Sequence, residues 1–233
     1  MNSSKSKKYF TLIICCHNHE EYLFDCLKSI LNQKKHKFKF DIIFVDDCSK
    51  DSSLKIAKKI LPKKNAIIIK NSKNLGLSKS CNKALRKTKT KYFIRIDSDD
   101  YISNEFIYFF EKSININSDL IFCDRIEFTK SKKKIFKNKK KNIFKMISCG
   151  VAMKTKKVLK IGGYKNLMWE EYDLYLRYLD QSPKIKNIKK NLYFYRKHNQ
   201  SMSFKKTWIK KAWIQLRKKY SSKYINKFGR IES

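Results

Sequence analysis

The chain has 233 residues, 42% of them hydrophobic and 14% aromatic, enough apolar material for a core and too much for a wholly disordered chain. Lys and Arg number 56 against 20 Asp and Glu, and the formal net charge of +36 admits nucleic acid, anionic lipid or an anionic substrate as partner. Most of that excess is Lys, a poorer bidentate reader of bases and phosphates than Arg, and seven Cys without a C-x-x-C pair argue against a disulfide framework and for a reducing cytoplasm.

Met1 to Lys8 is polar, and no signal peptide is expected from it. No stretch reaches the ~20 apolar residues that cross a bilayer, so a soluble or peripheral protein is expected. Tyr9 to Cys16 reads as a buried strand ended by His17-Asn18-His19. Adjacent strand residues point to opposite faces, so Cys15, Cys16 and His17 do not converge on one metal. Glu20 to Asn32 follows as a helix, with Leu23, Cys26, Leu27, Ile30 and Leu31 on one face. Asp41 to Val45 is a second strand, ended by Asp46-Asp47-Cys48-Ser49, and a helix from Asp51 to Leu61 stops at Pro62. Ala66 to Ile69 is the third strand. Asn71 to Leu77 is a loop turning at Gly76, Ser78 to Lys87 a helix, and Tyr92 to Ile96 the fourth strand.

That strand runs straight into Asp97-Ser98-Asp99-Asp100. Carboxylates so close repel one another, and a divalent cation at the strand's carboxyl end would compensate them. The alternative is a polar turn before a helix N-capped by Ser103. The β-α-β-α-β-α-β order predicts a mostly parallel sheet with right-handed crossovers. Asp47 and Asp97 to Asp100 then share the sheet edge where ligands bind in open α/β folds.

The second half is less regular: a helix over Ser103 to Ile114, a strand over Asp119 to Phe128, and a Lys-rich solvated loop over Thr129 to Asn142. A strand over Ser148 to Lys154, a helix over Thr155 to Ile161 ended by Gly162-Gly163, a helix over Glu170 to Leu179 and a strand over Asn191 to Arg196 follow. From Lys205 to Arg230, Trp208, Ile209, Ala212, Trp213, Leu216 and Tyr220 form a helical stripe, with Lys210, Lys211, Arg217, Lys218 and Lys219 on or beside the other face. Such a basic amphipathic helix fits an anionic membrane surface or packing across the domain.

Six motifs in order, from residue 9 to residue 203, resemble the family 2 glycosyltransferases of the GT-A fold. Thr11 to Asn18 is similar to the first strand and its P-T-Y-N-like turn. Val45-Asp46-Asp47-Cys48-Ser49-Lys50-Asp51 resembles V-D-D-G-S-x-D, and Asn74-Leu75-Gly76-Leu77-Ser78 with Asn82 resembles N-x-G-x-S-x-x-x-N. Asp97-Ser98-Asp99-Asp100 is similar to D-x-D-D. Gly162-Gly163-Tyr164 with Glu170-Glu171-Tyr172-Asp173-Leu174 resembles G-G-F and E-D-Y-D-L. Tyr195-Arg196-Lys197-His198 with Ser201 and Ser203 resembles Y-R-x-H-x-x-S-x-S.

The resemblance implies a Rossmann-like, mostly parallel sheet flanked by helices. Residues 1–204 would form the transferase domain, with a nucleotide-binding half over 9–101, an acceptor half over 102–204 and a basic helical extension over 205–233. It implies inverting, metal-dependent transfer of a sugar from a nucleotide-sugar, a UDP-sugar first, to a hydroxyl of a glycan or lipid-linked acceptor. Lipopolysaccharide, capsule or other surface-glycan synthesis would be the setting, in the cytoplasm or on the inner membrane's cytoplasmic face, with no nucleic-acid partner. Cys15, Asn18, Asp47, Asn74, Gly76 and Asp97 would bind the nucleotide-sugar, and Asp99, Asp100 and His198 would hold Mg²⁺ or Mn²⁺. Glu171 would be the catalytic base, with Asp173 in reserve. Three departures stand out: Cys15-Cys16-His17 replaces P-T-Y, Cys48 replaces Gly, and Glu171 replaces Asp, moving the carboxylate by about 1.5 Å. The rival readings are a non-catalytic family member acting as a partner subunit and a basic nucleic-acid-binding protein. Against the second, the aromatics follow core spacing.

Overall fold

The computed structural model describes residues 8–36, 39–114, 118–137, 149–198 and 206–228. Ser201 and Ser203 of the last motif, residues 138–142 of the Lys-rich stretch, Ser148, Lys205 and Arg230 lie outside the described residues.

The first half follows the predicted alternation: β1 (Phe10–Cys16), α1 (Glu20–Leu31), β2 (Asp41–Asp46), α2 (Ser53–Ile60), β3 (Ala66–Lys70), α3 (Leu77–Lys87) and β4 (Tyr92–Asp97). The second half holds β5 (Tyr101–Ile102), α4 (Phe106–Ile114), β6 (Leu120–Phe128), β7 (Lys133–Phe136), β8 (Ala152–Lys154), α5 (Thr155–Lys160), α6 (Glu170–Leu179), β9 (Ile185–Arg196), α7 (Lys206–Lys219) and α8 (Ser222–Lys227). The sheet order is β3-β2-β1-β4-β8-β6-β9-β5, with β7 hairpinned onto β6. β3, β2, β1 and β4 run parallel, as helical crossovers require, and β8 enters antiparallel between β4 and β6.

Period-two alternation divides the side chains between two cores. Leu12, Ile14, Ile42, Phe44, Ile94 and Ile96 face α1, α2 and α4. Ile13, Ile43, Val45 and Phe93 face α3, α5 and α6, and Leu216 of α7 and Ile225 of α8 join that second core. The apolar stripe of the C-terminal extension is therefore used in packing on the domain. No described helix is long and apolar enough to cross a membrane. Register sets the functional rim: Cys16 pairs with Asp46 and Cys15 with Asp97, so both acidic turns flank the end of β1.

Several elements differ from expectation: β5 is not among the predicted elements, and the single helix expected in the extension is two, α7 ending at Lys219 and α8 starting at Ser222. Part of the predicted Lys-rich loop is β7, whose Lys133, Lys134 and Ile135 are exposed; backbone pairing with β6 makes it a strand without burial. β9 begins six residues before the predicted Asn191, because Ile185 to Ile188 already pair with Leu120 to Cys123 of β6, ahead of two register shifts. α4 begins at Phe106 rather than Ser103, whose carbonyl accepts the Phe106 N–H.

Asp119 ties the second half together. Its carboxylate accepts the Lys184 N–H at 2.9 Å and pairs with Lys154 at 2.8 Å and Lys157 at 2.9 Å. Burial pushes this carboxyl upward, but the bonds from Lys154, the Lys184 N–H and Lys157 prevail and hold it down at about 2. A depressed folded value stabilises above the ordinary Asp value of about 3.9, and that stability disappears as pH falls through the folded value. Asp119→Asn should therefore lower Tm at pH 7 by roughly 3–6 °C, with the difference from wild type closing as pH falls from about 4 towards 2; thermal melts across that range measure it.

Candidate active site

The β2 turn is organised by Asp47, which is nearly fully buried. Its Oδ1 accepts the Asn71 side-chain amide and the Leu75 N–H, both at 2.8 Å, and its Oδ2 accepts the Gly76 N–H at 2.9 Å. Asn74 Oδ1 accepts the same Gly76 N–H at 3.0 Å. Gly76 has φ +83°, which a residue without Cβ adopts freely. Across the rim, Asn18 donates its N–H to Ser49 Oγ, and its Oδ1 accepts the Lys50 N–H at 2.7 Å. Asn18, Asp47, Asn74 and Gly76 thus build two neighbouring loops at the end of the parallel strands. Cys48 has φ +62°. This left-handed geometry gives a physical reason for glycine in the motif that the turn resembles, and here a Cys carries the strain. Cys15 is partly exposed, with its Sγ 3.6 Å from Cys81 Sγ on α3.

Arg95 and Asp97 share the face of β4 that looks towards α6. Arg95 is 5% exposed. Its Nη1 donates to Glu170 Oε1 at 2.9 Å, its Nε lies 2.9 Å from Asp97 Oδ1, and its guanidinium sits 6.0 Å from the Tyr164 ring centre. The first turn of α6 is thereby fastened to the strand that ends in the acidic turn. Glu171, next along, is partly exposed. Burial and the neighbouring Glu170 charge push its carboxyl well above the ordinary value, with Arg95 opposing them and Asp97 adding to them. Asp173 has a different role. It is fully buried, Oδ2 accepts from Arg177, and Oδ1 accepts from Tyr220 and Lys219. Burial pushes its carboxyl up, but those three donors hold it below the usual range. Arg177 also donates to the carbonyls of Ile161 and Gly163, so Asp173 joins α7 and α6 to the double-glycine turn.

The acidic turn itself separates its carboxylates. The Asp100 N–H closes it onto the Asp97 carbonyl. Asp100 is 1% exposed; Oδ1 accepts the Arg196 N–H and Oδ2 the Tyr193 hydroxyl, each at 2.7 Å, with Cys149 Sγ 3.8 Å from Oδ2. The Tyr193 oxygen in turn accepts the Asp97 N–H. Asp99 stays partly exposed, its Oδ2 2.9 Å from Nε2 of His198. His19 bonds Ser98 Oγ through Nδ1 at 2.7 Å, and the Tyr22 ring lies 4.7 Å from that of His198. Of the three predicted metal ligands, Asp99 and His198 meet, and Asp100 is turned inward beneath them. Ligand atoms of Asp97, Asp100 and Cys149 also lie within 4.8 Å of one another.

Sequence reasoning missed Arg95, Glu170, Tyr193 and Asn71, which hold the predicted residues in place. One signal was present: an Arg in an otherwise apolar strand, two positions before Asp97, shares its face and needs a buried counter-charge.

Comparison with known proteins agrees with this geometry. Residues 11–205 match the family described as glycosyl transferase family 2. A curated relative, the poly(ribitol-phosphate) beta-N-acetylglucosaminyltransferase TarS of Staphylococcus aureus, is 35% identical over 97 residues, covering 41% of this chain and 17% of TarS. The crystal structure of S. aureus TarS 1–349 in complex with UDP-GlcNAc superposes with a TM-score of 0.73 at 22% identity, over 83% of this chain and 60% of that one. The mannosyltransferase PcManGT of Pyrobaculum calidifontis, in complex with GDP-Man and Mn²⁺, gives 0.67 at 11% identity, over 84% of this chain and 59% of that one. The matched region thus spans less than a fifth of TarS, and the structural likeness establishes the α/β GT-A architecture. With the family match running over most of its length, the chain belongs to glycosyl transferase family 2.

Proposed function

We propose that this chain is an inverting, metal-assisted glycosyltransferase. It would carry a sugar from a nucleotide-sugar, a UDP-sugar first among them, to a hydroxyl of a glycan or lipid-linked acceptor in surface-glycan synthesis. The observation that carries this reading is the meeting at one sheet rim of Asp99 with His198, and of Arg95 and Asp97 with the first turn of α6. The UDP-GlcNAc bound by the TarS structure supports the choice of base. Residues 1–204 act as the transferase unit in the cytoplasm. Within the extension, α7 and α8 pack on it through Ala212, Leu216 and Ile225, and Lys210, Lys211 and Lys218 stay exposed, where the anionic inner face of a membrane fits.

On the donor side, the loops held by Asp47, Asn18 and Asn74 take the base and ribose, with Cys15 as a wall and Gly76 allowing close approach. Asp97 lies towards the ribose and diphosphate. The Asp99–His198 pair is a carboxylate and an imidazole at one partly exposed point, a donor set that suits Mn²⁺, or Mg²⁺ completed by phosphate oxygens. Asp99 and His198 would hold the ion, with Asp100 steadying the turn from below. Such an ion supplies positive charge against the negative charge that the leaving nucleoside diphosphate gains.

Glu171 is the base. It removes the acceptor hydroxyl proton as that oxygen attacks the anomeric carbon, while the bond to the diphosphate oxygen breaks on the opposite side. A single displacement inverts the centre without a covalent enzyme intermediate. The Arg95–Glu170 pair fixes the helix turn that carries Glu171, and Asp173 positions the same helix from behind rather than reacting.

A thermal-shift panel of UDP-, GDP-, CMP- and dTDP-sugars with and without Mn²⁺ tests the donor reading. One donor class should stabilise the protein by about 2.7 kcal/mol at a hundred times its Kd, and only with the ion. Asp99→Ala should abolish that response, and no metal-dependent shift with any donor would defeat the reading. Glu171→Gln should lower kcat by roughly 100- to 10,000-fold while nucleotide binding survives. Because burial raises the Glu171 pKa, and only its ionised form accepts a proton, activity should fade on acidification at a pH above the ordinary Glu value of about 4.3. An acid limb at or below that value would refute Glu171 as the base.

A further inference from the structure

Two free thiols touch at the floor of the rim. Cys15 lies near the end of β1, in register with Val45 on one side and Asp97 on the other. Cys81 lies on α3, 66 residues further along the chain. Their sulfurs are 3.6 Å apart, close enough for one thiol to hydrogen-bond the other. A disulfide is about 2.05 Å long, so closing the gap takes about 1.5 Å of travel, shared between two side chains and the elements that carry them.

The two thiols differ in access. Cys15 is partly exposed, whereas Cys81 is buried behind it. An oxidant arriving from solvent meets Cys15 first and leaves Cys81 as the resolving thiol. The Cys81 hydrogen bond and burial push the Cys15 thiol well above its ordinary value, with Arg95 opposing them. Thiolate is therefore scarce at neutral pH, and the pair responds slowly, to sustained oxidation rather than to a brief pulse.

The neighbours of Cys81 on α3 both hold parts of the rim. Ser80 Oγ accepts from the Asn71 side-chain amide at 2.9 Å, and the same nitrogen donates to Asp47 at 2.8 Å. Asn82 Nδ2 donates to the Tyr164 carbonyl at 2.7 Å, and Asn82 Oδ1 accepts the Tyr164 N–H at 2.9 Å. A Cβ on Gly163 would lie 2.3 Å from that Oδ1, so the contact between α3 and the double-glycine turn has no slack. Displacing Cys81 thus disturbs the Asp47 loop and the turn before α6 together.

We propose that Cys15 and Cys81 are a redox modification site, which a hydroperoxide converts into a reversible disulfide that weakens donor binding. The Cys15 thiolate attacks one peroxide oxygen and the O–O bond breaks. This leaves a sulfenic acid, and the departing hydroxide takes the thiol proton to become water. The Cys81 sulfur then displaces the sulfenic oxygen, which leaves with the Cys81 proton as a second water. Two thiols are oxidised and one hydrogen peroxide is reduced to two waters. The new bond draws α3 towards β1, moves Ser80 and Asn82 with it, and takes the Cys15 sulfur out of the donor wall. Transient redox-sensing bonds of this kind are compatible with a reducing compartment. The consequence for the donor rests on the transferase reading, whereas the bond itself does not.

The test uses the full chain, reduced with dithiothreitol, freed of it, and divided into untreated and hydrogen peroxide-treated halves. Peptide mapping without reductant should find Cys81 joined to Cys15 in the treated half alone. Cys15, Cys16 and Cys26 share one tryptic peptide between Lys8 and Lys28, so fragmentation identifies the partner. Thermal-shift titrations with UDP-, GDP-, CMP- and dTDP-sugars and Mn²⁺ should show donor Kd rising about tenfold on oxidation and returning with dithiothreitol. Cys81→Ala and Cys81→Ser should each lose this peroxide effect. Cys48→Ala, which removes another partly exposed cysteine of the rim, should keep it. Absence of the linked peptide overturns the proposal, and so does a linked protein whose donor Kd is unchanged. The same peroxide effect in both Cys81 variants overturns it too, by tracing the loss to a single oxidised thiol. A reduced protein that responds to no donor defeats the transferase reading and the regulatory consequence with it, while a linked peptide would still establish the bond.

Discussion

A guanidinium buried between two carboxylates is the constraint around which the rim is arranged. Arg95 comes from a strand of the parallel half, Asp97 ends that strand, and Glu170 begins a helix 75 residues later. Removing a charge from water is expensive, and only close partners compensate it. The strand end and helix start therefore have few alternative placements. A substitution at Arg95 would strand two acids in a poorly solvated region, so the residue constrains both sides of the cleft at once.

The same economy runs through the rest of the acidic surface. Asp97, Asp99, Asp100, Glu170 and Glu171 crowd together in a chain of net charge +36, yet bulk lysine does little of the neutralising. Local groups hold them instead: the Arg95 guanidinium pairs with Asp97 and Glu170, the Arg196 N–H and Tyr193 hydroxyl donate to Asp100, and the His198 imidazole meets Asp99. Solvated lysines are screened within a Debye length of ~8–10 Å, whereas a directed hydrogen bond in a poorly solvated pocket retains its strength. Overall charge and site chemistry are thus nearly independent here.

The alternation of elements in the first half was legible because each strand there is a compact apolar run bounded by turn residues. The meeting of both acidic turns at one rim followed from parallel topology. Resemblance to a known family directed attention to Asp99, Glu171 and His198. It did not reveal that Asp173 is occupied by α7, that three donors consume most of Asp47's acceptor capacity, or that Asp100 is turned inward. Those facts depend on contacts between residues tens of positions apart, and no local pattern encodes them. β7 and the start of β9 escaped for a different reason: both are Lys-rich and paired through backbone groups, so hydropathy is silent about them. The φ of Cys48 was hinted at only by the glycine it replaces.

β9 has a temporal implication. It pairs with β6 and β5, its Tyr193 and Arg196 secure Asp100, and the chain just beyond it delivers His198 to Asp99. A ribosome releases the chain from the amino end, and domains begin to condense as they emerge. The parallel half can therefore assemble early, with its acidic turn still lacking the partners that quiet it. Until about the two-hundredth residue is clear of the exit tunnel, the nascent protein exposes a cluster of mutually repelling carboxylates beside a half-built sheet. Long-range closure of this kind is slow. The last strand thus sets the moment at which the newborn molecule stops being vulnerable to misassembly.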